Sequence, residues 1–131
     1  MTHIRPYKHT DFPLLAAWWK HVGVTISEAL IPVDTTFVAV INNTPAVAVS
    51  LYPTNCLAFC YIDGFVGNPA LKGPQRQEVA RHLVQYTEEY AKRRGFARLI
   101  ALSSIPILTS RYTTWGYAPV DKPVSVLVKE L

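Results

Sequence analysis

The 131-residue sequence holds few of the residues that build disulfide frameworks and metal centres. It has two cysteines, Cys56 and Cys60, and four histidines scattered between His3 and His82. If both cysteines lie in one strand, their Cα atoms are about 13 Å apart, which is too far for a disulfide. The histidines follow no ligand spacing. We therefore expect free thiols in a reducing compartment and no metal site.

Long apolar runs are also missing. No stretch approaches the ~18 apolar residues of a membrane span, and residues 1–6 lack the apolar core of a signal peptide. We therefore expect no membrane partner and a cytoplasmic location. The sequence has no P-loop and no dinucleotide fingerprint. Ser103-Ser104 lacks the Gly-x-Ser-x-Gly elbow of the serine hydrolases.

The residues that are present predict one folded domain over 1–131. Seven Tyr, five Phe and three Trp argue against disorder, and a chain of this size buries about two thirds of its unfolded surface. The net charge of +4 favours an anionic partner, such as a phosphorylated cofactor or nucleic acid. The dense run Lys92-Arg93-Arg94 lies at a predicted helix end, where cations stabilise the negative pole of the helix.

Hydrophobic periodicity and turn residues predict an α/β (α+β) fold with the order β-α-(α)-β-β-β-α-β-α-β-β. A right-handed crossover through the longest helix makes one strand pair parallel, so we expect a mixed, mostly antiparallel sheet flanked by helices. Thr10 or Asp11 caps the first helix, which Gly23 ends. The predicted strands are 3–8, 37–41, 46–52, 57–66, 97–103, 117–120 and 124–129, and the other predicted helices are 27–30, 74–94 and 106–115.

Three segments, taken in order, resemble the GNAT superfamily of N-acetyltransferases. Residues 4–11 and the Leu/Ala/Trp-rich helix after them are similar to its opening strand and helix. Residues 90–99 are similar to the end of its cofactor helix, and 112–117 to its Tyr-x-x-x-Gly-Phe segment. The resemblance covers nearly the whole chain. It implies an acyltransferase that moves an acyl group, usually acetyl, from acetyl-CoA to an amine by direct attack.

The family's cofactor motif, Gln/Arg-x-x-Gly-x-Gly/Ala, falls at the start of helix 74–94. Counting back from the helix end places it on residues 75–80, where Glu78 replaces a glycine. Counting forward from the preceding loop places Lys72-Gly73 on its Arg-Gly pair instead. Free amides at a helix N-terminus bind phosphate well. The resemblance assigns coenzyme A binding to Phe65, Val66, Gly67, Lys72, Gly73, Gln75, Arg76, Gln77, Glu78, Val79 and Ala80.

Two side chains are candidates for the chemistry that the resemblance implies. Tyr112 lies four residues before Gly116, as the family's general acid does, and a phenol of pKa ~10 stays protonated at neutral pH. It is also suited to pack a short helix on the sheet. Asp63, near the end of a strand, is the candidate base, or else a solvated strand carboxylate. Main-chain amides of residues 65–67 are suited to polarise a thioester carbonyl.

Other functions stay open on the sequence alone. Glu78 in the cofactor motif favours a catalytically inactive GNAT-fold binding module. Trp18, Trp19 and the positive charge permit a nucleic-acid-binding protein, although no nucleic-acid motif is present. The acceptor amine, a small molecule or a protein amine, depends in this family on loops near 24–33 and on the last two strands. The sequence specifies neither the acceptor nor whether the chain is a monomer or a homodimer.

Overall fold

A computed structural model describes residues 1–103, 105–122 and 124–131, so Ser104 and Pro123 lie outside the described residues. Five strands form one sheet in chain order. The strands are Thr2–Pro6 (β1), Thr36–Ile41 (β2), Thr44–Pro53 (β3), Cys60–Gly67 (β4) and Leu99–Ala101 (β5). The α-helices are Phe12–His21 (α1), Pro74–Arg93 (α2) and Pro106–Thr114 (α3), with short 3₁₀ turns at His9–Asp11, Glu28–Leu30 and Val33–Thr35.

The sheet is mixed and mostly antiparallel, as predicted. Strands β1 to β4 pair antiparallel in sequence, and β4 pairs parallel with β5 because α2 returns the chain to the same end of the sheet. Asn42 and Asn43 have φ of 47° and 66°. Asn tolerates this left-handed region, so the two residues make the tight turn of the β2–β3 hairpin.

Each face of the sheet is covered by helix. Helix α1 packs on one face through Leu15 and Trp18, which contact Val38, Val40 and Val66 of the sheet. Helices α2 and α3 cover the other face. The buried residues of that second core are Phe37, Ala39, Ile41, Ala46, Val47, Val49, Leu51, Cys60, Ile62, Val79, Ala80, Leu83, Val84, Ala91 and Tyr112.

The two predicted C-terminal strands are wrong. Residues 117–122 and 124–131 form no strand among the described residues, and Val124, Val126 and Val128 are 73%, 69% and 81% exposed. Their alternation satisfies the one-face pattern of a strand, but a strand also needs a neighbouring edge to pair with. Strand β5, at the end of the sheet, pairs over only three residues and supplies no such partner here.

The predicted strands 57–66 and 97–103 both begin too early. Residues before Cys60 form a turn in which the Thr54 hydroxyl donates to the Phe59 carbonyl at 2.7 Å. Cys56 therefore lies outside the strand and is exposed, Cys60 is buried, and both thiols are free. Strand β5 was expected to be buried on both faces. It is only partly buried because it lies at the edge of the sheet.

Candidate functional site

A bulge in β4 sets the directions of the side chains near the predicted site. Ala48 pairs with Val66 whereas Ser50 pairs with Asp63, so β4 carries one extra residue between these two pairs. Gly64, within the bulge, has φ +69°, a conformation that glycine adopts at little cost. As a result Phe65 packs on the α2 face of the sheet, while Asp63 lies beside Ser50 on the α1 face.

Strands β4 and β5 separate beyond this point. Their pairing ends at Ile62 and Ala101, so residues 63–67 of β4 have no partner on the β5 side within the described part of the chain. An open strand edge presents backbone N–H and C=O groups that can pair with an extended ligand. The predicted contact residues Phe65, Val66 and Gly67 lie along this open edge, although the Val66 side chain itself is buried in the α1 core.

Helix α2 begins next to the open edge, and no side chain of the described residues caps it. Its N-cap, Gly73, has φ 91° and ψ −166° and Pro74 follows it. Across this helix start the first amide bonded to backbone is that of Gln77, which donates to the Gly73 carbonyl at 3.2 Å. The backbone amides of four residues donate no hydrogen bond to any of the described residues. They are Lys72, Gly73, Gln75 and Arg76. These donors, at the positive pole of a 20-residue helix, form a ready site for a phosphate.

Asn68 and Arg76 hold the loop before α2 in place. Arg76 Nη1 donates to the carbonyl oxygens of Asn68 and Leu71, both at 2.9 Å. Its guanidinium covers Gly67 so closely that a Cβ there would lie 3.3 Å from it. The Asn68 side chain accepts from the Ala70 amide at 2.9 Å and donates to the Pro45 carbonyl at 3.0 Å. The sequence prediction missed Asn68, whose only signal was an amide residue directly after a strand.

The remaining predicted cofactor residues divide into exposed and buried ones. Lys72, Gln75 and Gln77 are exposed at the helix start. The side chains of Val79 and Ala80 are 4% and 3% exposed and pack in the core, so they position the helix and do not face a ligand.

Glu78, the departure from the family motif, is turned away from the helix start. Its carboxylate lies 2.7 Å from Arg81 Nη2 and 3.2 Å from His82 Nε2, one turn further along α2. The hydrogen bond from Arg81 lowers the pKa of Glu78, and the nearby His82 acts in the same direction. Arg81 therefore offsets the negative charge that stands where the family has glycine.

Tyr112 is buried in an aromatic cluster at the end of α3. Its ring makes edge contacts with Trp115 and Tyr117 at centroid distances of 5.4 and 5.0 Å. Burial raises the pKa of Tyr112, and the charges of Asp63 and Glu88 raise it further. The phenol therefore keeps its proton through the neutral range. The two predicted catalytic side chains lie towards opposite faces of the sheet, Asp63 on the α1 face and Tyr112 on the α2 face.

Two cavities meet at Tyr52 and Asp63. One, of about 190 Å³, lies where β4 and β5 separate and includes Tyr61 and Leu102 in its lining. The other, of about 180 Å³, lies under α1 and the segment that follows it. A larger cavity of about 640 Å³ lies between the end of α2 and Trp115–Ala118, and none of the predicted site residues lines it.

Residues 1–103, 105–122 and 124–131 contain neither a candidate metal site nor a candidate membrane-spanning helix. No group of three or more His, Cys, Asp or Glu side chains there is placed to hold a metal ion. No helix there combines the length and the apolar character that crossing a membrane requires.

The family of this chain follows from its match to a known family model. The model of the acetyltransferase (GNAT) family matches residues 2–106. The chain belongs to the GNAT family. The predicted family and the predicted GNAT-like fold are therefore confirmed, while no curated protein matches the chain.

Solved GNAT structures show the same fold at low identity. N-acetylglutamate synthase from Neisseria gonorrhoeae, complexed with coenzyme A and N-acetyl-glutamate, matches with a TM-score of 0.73 and 15% identity over 86% of this chain. This chain spans only 28% of that protein.

Two other neighbours match over almost their whole length. A predicted acetyltransferase from Clostridium acetobutylicum, solved with acetyl-CoA, has a TM-score of 0.71 and 15% identity over 97% of this chain and 96% of its own. Glucosamine-6-phosphate N-acetyltransferase from Arabidopsis thaliana has a TM-score of 0.70 and 14% identity over 98% of this chain and 99% of its own.

Proposed function

We propose that this GNAT chain is an N-acetyltransferase that takes acetyl-CoA as acyl donor and an amine as acceptor. One observation carries the proposal: in the described part of the chain, helix α2 begins with unpaired amides and no side-chain cap, beside the open edge of β4. A protein that used this helix only as structure would gain stability from a side chain capping those amides. Their availability fits a diphosphate.

The residues at this place fit coenzyme A part by part. The amides of Lys72, Gly73, Gln75 and Arg76, with the exposed Lys72 ammonium, would hold the diphosphate. The open edge at 65–67 would pair with the extended arm of the donor. Two solved neighbours support this choice, because one is complexed with coenzyme A and another with acetyl-CoA.

The chemistry of the proposed reaction uses Asp63 and Tyr112. Bound acetyl-CoA supplies the acetyl group as a thioester. The Asp63 carboxylate accepts a proton from the amine, whose nitrogen forms a bond to the acetyl carbon. Tyr112, which keeps its proton because its pKa is raised, donates it to the sulfur as the carbon–sulfur bond breaks. Amides at the open edge of β4 stabilise the negative charge that develops on the carbonyl oxygen.

Titration calorimetry with acetyl-CoA tests the proposal on the wild type and on Gly73→Ala. Gly73 occupies a φ/ψ region that is essentially restricted to glycine, so alanine costs about 1–3 kcal/mol there or rearranges the helix start. We expect Gly73→Ala to weaken acetyl-CoA binding about tenfold, which corresponds to about 1.4 kcal/mol.

Gly23→Ala is the matched control, because Gly23 has a similar φ of +84° and equally open surroundings at the end of α1. It should leave the acetyl-CoA affinity unchanged. Absence of binding at saturating acetyl-CoA, or equal losses in both variants, would contradict the donor site. Tight binding without acetylation of any amine would instead indicate a GNAT-fold binding module.

A further inference from the structure

The cavity under α1 has a wall made almost entirely of apolar side chains. It is contributed by α1 and by the segment between α1 and β2. These side chains are Leu15, Trp19, Val24, Ile26, Leu30 and Ile31. Val24 and Leu30 are 41% and 60% exposed, so packing in the core does not account for them. The cavity volume of about 180 Å³ is about six times the share of liquid volume of one water molecule. It therefore suits a small molecule.

Three hydrogen bonds fix the segment between α1 and β2 that forms part of this wall. The Tyr52 hydroxyl donates to the Leu30 carbonyl at 3.0 Å, and the Thr36 hydroxyl donates to the Pro32 carbonyl at 2.7 Å. The Ser27 side chain caps the short 3₁₀ turn by accepting from the Ala29 amide at 3.3 Å. Because three separate bonds fix the segment, the cavity is a built feature of the fold.

The floor of the cavity is polar and has room for a ligand. Ser50 Oγ lies 2.7 Å from Thr36 Oγ1. Since the Thr36 proton goes to Pro32, Ser50 is the donor in this pair and keeps lone pairs free to accept. Gly64 adjoins the same place, where a Cβ would lie 3.5 Å from Ser50 Oγ and 3.7 Å from Tyr52 Oη. The missing side chain leaves this space open.

The charge of the lining has one sign. Asp63, a solvent-exposed residue, is the only charged residue of the described lining, which contains no Lys, Arg or His. A carboxylate favours a cation, whereas a second anion brought into this cavity would have no positive partner. The indole of Trp19 in the apolar wall adds a surface that attracts cations.

From this lining we infer that the acceptor is a small cationic amine whose remainder is apolar and carries no carboxylate or phosphate, an alkylamine or arylalkylamine. The inference rests on the proposed function, because an acceptor presupposes an acyl donor. Asp63 serves both parts: it attracts the ammonium to the cavity and, after the ammonium has released one proton to water, it accepts the second proton as the nitrogen bonds to the acetyl carbon. The apolar wall takes the hydrocarbon part.

A binding experiment without acetyl-CoA tests the ligand class separately from the proposed function. We would titrate 2-phenylethylamine, L-glutamate and glucosamine 6-phosphate into the protein by calorimetry. We expect 2-phenylethylamine to bind at least tenfold more tightly than either anionic amine. Equal affinities, a preference for an anionic amine, or no binding of 2-phenylethylamine overturns the inference. If acetyl-CoA fails to bind while 2-phenylethylamine binds, the proposed function fails and the selectivity of the cavity stands.

A charge placed in the wall locates the binding. Leu30→Arg introduces a cation into the apolar lining at a side chain that is already 60% exposed, so folding should survive. It should weaken 2-phenylethylamine at least fivefold and reduce its advantage over L-glutamate. Val22→Arg is the matched control, since Val22 is 61% exposed and lies outside the lining. Equal effects of the two variants, or no effect of Leu30→Arg, would show that the amine does not occupy this cavity.

Discussion

Removal of the Tyr112 hydroxyl leaves the packing of the ring intact. Tyr112→Phe should therefore keep the contacts with Trp115 and Tyr117 while removing the proposed acid. We expect kcat to fall about 100-fold, the lower range for a positioned proton donor, with acetyl-CoA affinity within about twofold of wild type. Steady-state release of free coenzyme A and calorimetry measure the two quantities.

Tyr117→Phe is the control for this substitution. Its buried hydroxyl has no hydrogen-bond partner among the described residues. Burial raises the pKa of Tyr117, and the nearby Glu88 raises it further. We expect an unchanged kcat. If Tyr112→Phe also retains full turnover, Tyr112 is a packing residue and the acid must be sought elsewhere.

The Glu78 carboxylate should weaken acetyl-CoA binding less than its position in the cofactor motif implies. Its exposed charge is paired with Arg81 at 2.7 Å, and water and salt screen exposed charges from groups that they do not contact. Glu78→Gln should therefore strengthen acetyl-CoA binding by no more than about twofold. Arg81→Gln should weaken it by more, because it removes a cation and frees the carboxylate. A tenfold gain in Glu78→Gln would show that the carboxylate faces the diphosphate.

Single residues also mark where prediction from the sequence stops. The sequence showed Glu78 with Arg81 three residues later, but not which way the carboxylate turns, because that depends on rotamers. The two counts of the cofactor motif placed the helix start differently. In the structure Gly73 is the N-cap of α2. Its φ and ψ explain why a glycine stands at this position, and the sequence alone does not show these angles. Asn68 acts through five hydrogen-bonded neighbours that the fold brings together.

Among the elements, the junction of β1 with α1 depends on one ion pair. Arg5 makes a two-point contact with Asp11, each bond 2.8 Å, and the Lys8 amide donates to the same carboxylate at 2.8 Å. The hydrogen bond from Arg5 is the main cause that lowers the pKa of Asp11. Asp11→Asn should reduce the free energy of unfolding at pH 7 by about 2 kcal/mol, as for hydrogen bonds to charged groups.

The pH dependence of that loss has a definite sign. Because the pKa of Asp11 is lowered in the folded state, its stabilisation is present above the unfolded value of about 3.9 and is lost as pH falls through the folded pKa. The difference between wild type and Asp11→Asn in urea unfolding should therefore shrink from pH 5 to pH 3. Asp34→Asn, at an exposed carboxylate, should show no such difference. If the difference in unfolding free energy between wild type and Asp11→Asn stays constant with pH, the substitution removes packing and not a charge interaction.

Elements specified by local signals were predictable, and those specified by partners were not. Helices α1, α2 and α3 end where glycine or its neighbours stop a 3.6-residue repeat, and the β2–β3 hairpin turns on Asn42-Asn43. These signals act within a few residues. Strand β5 is shorter than its apolar run, and 124–129 is not a strand, because pairing depends on an edge elsewhere in the chain.

At the scale of the whole molecule, the candidate site lies where strands β4 and β5 separate. The prediction of helices flanking the sheet is confirmed, since α1 and α2 each cover one face. The separation of β4 from β5 was not visible, because the bulge at Gly64 and the end of pairing at Ile62 are properties of register. A glycine within a strand, such as Gly64 or Gly67, indicates a bulge or a close approach of a ligand or another backbone, but the residue type does not give its direction.

The two cysteines report on the stability of this whole arrangement. Cys60 is fully buried, pairs with both β3 and β5, and burial raises the pKa of its thiol. Cys56 is exposed, and the hydrogen bond with Thr54 lowers its pKa. Iodoacetamide should label Cys56 in the native protein, whereas Cys60 should react at least about 10³-fold more slowly, because a stability of about 5–15 kcal/mol keeps the open state rare.

In Cys56→Ser, the labelling rate of Cys60 should rise with urea at the slope of global unfolding, because reaching this thiol requires the helix-covered sheet to come apart. Fast labelling with a weak urea dependence would mean instead that β5 detaches from β4 on its own. That local opening would widen the cavity between β4 and β5 beside Asp63, whereas the amine cavity under α1 has no β5 residue in its described lining.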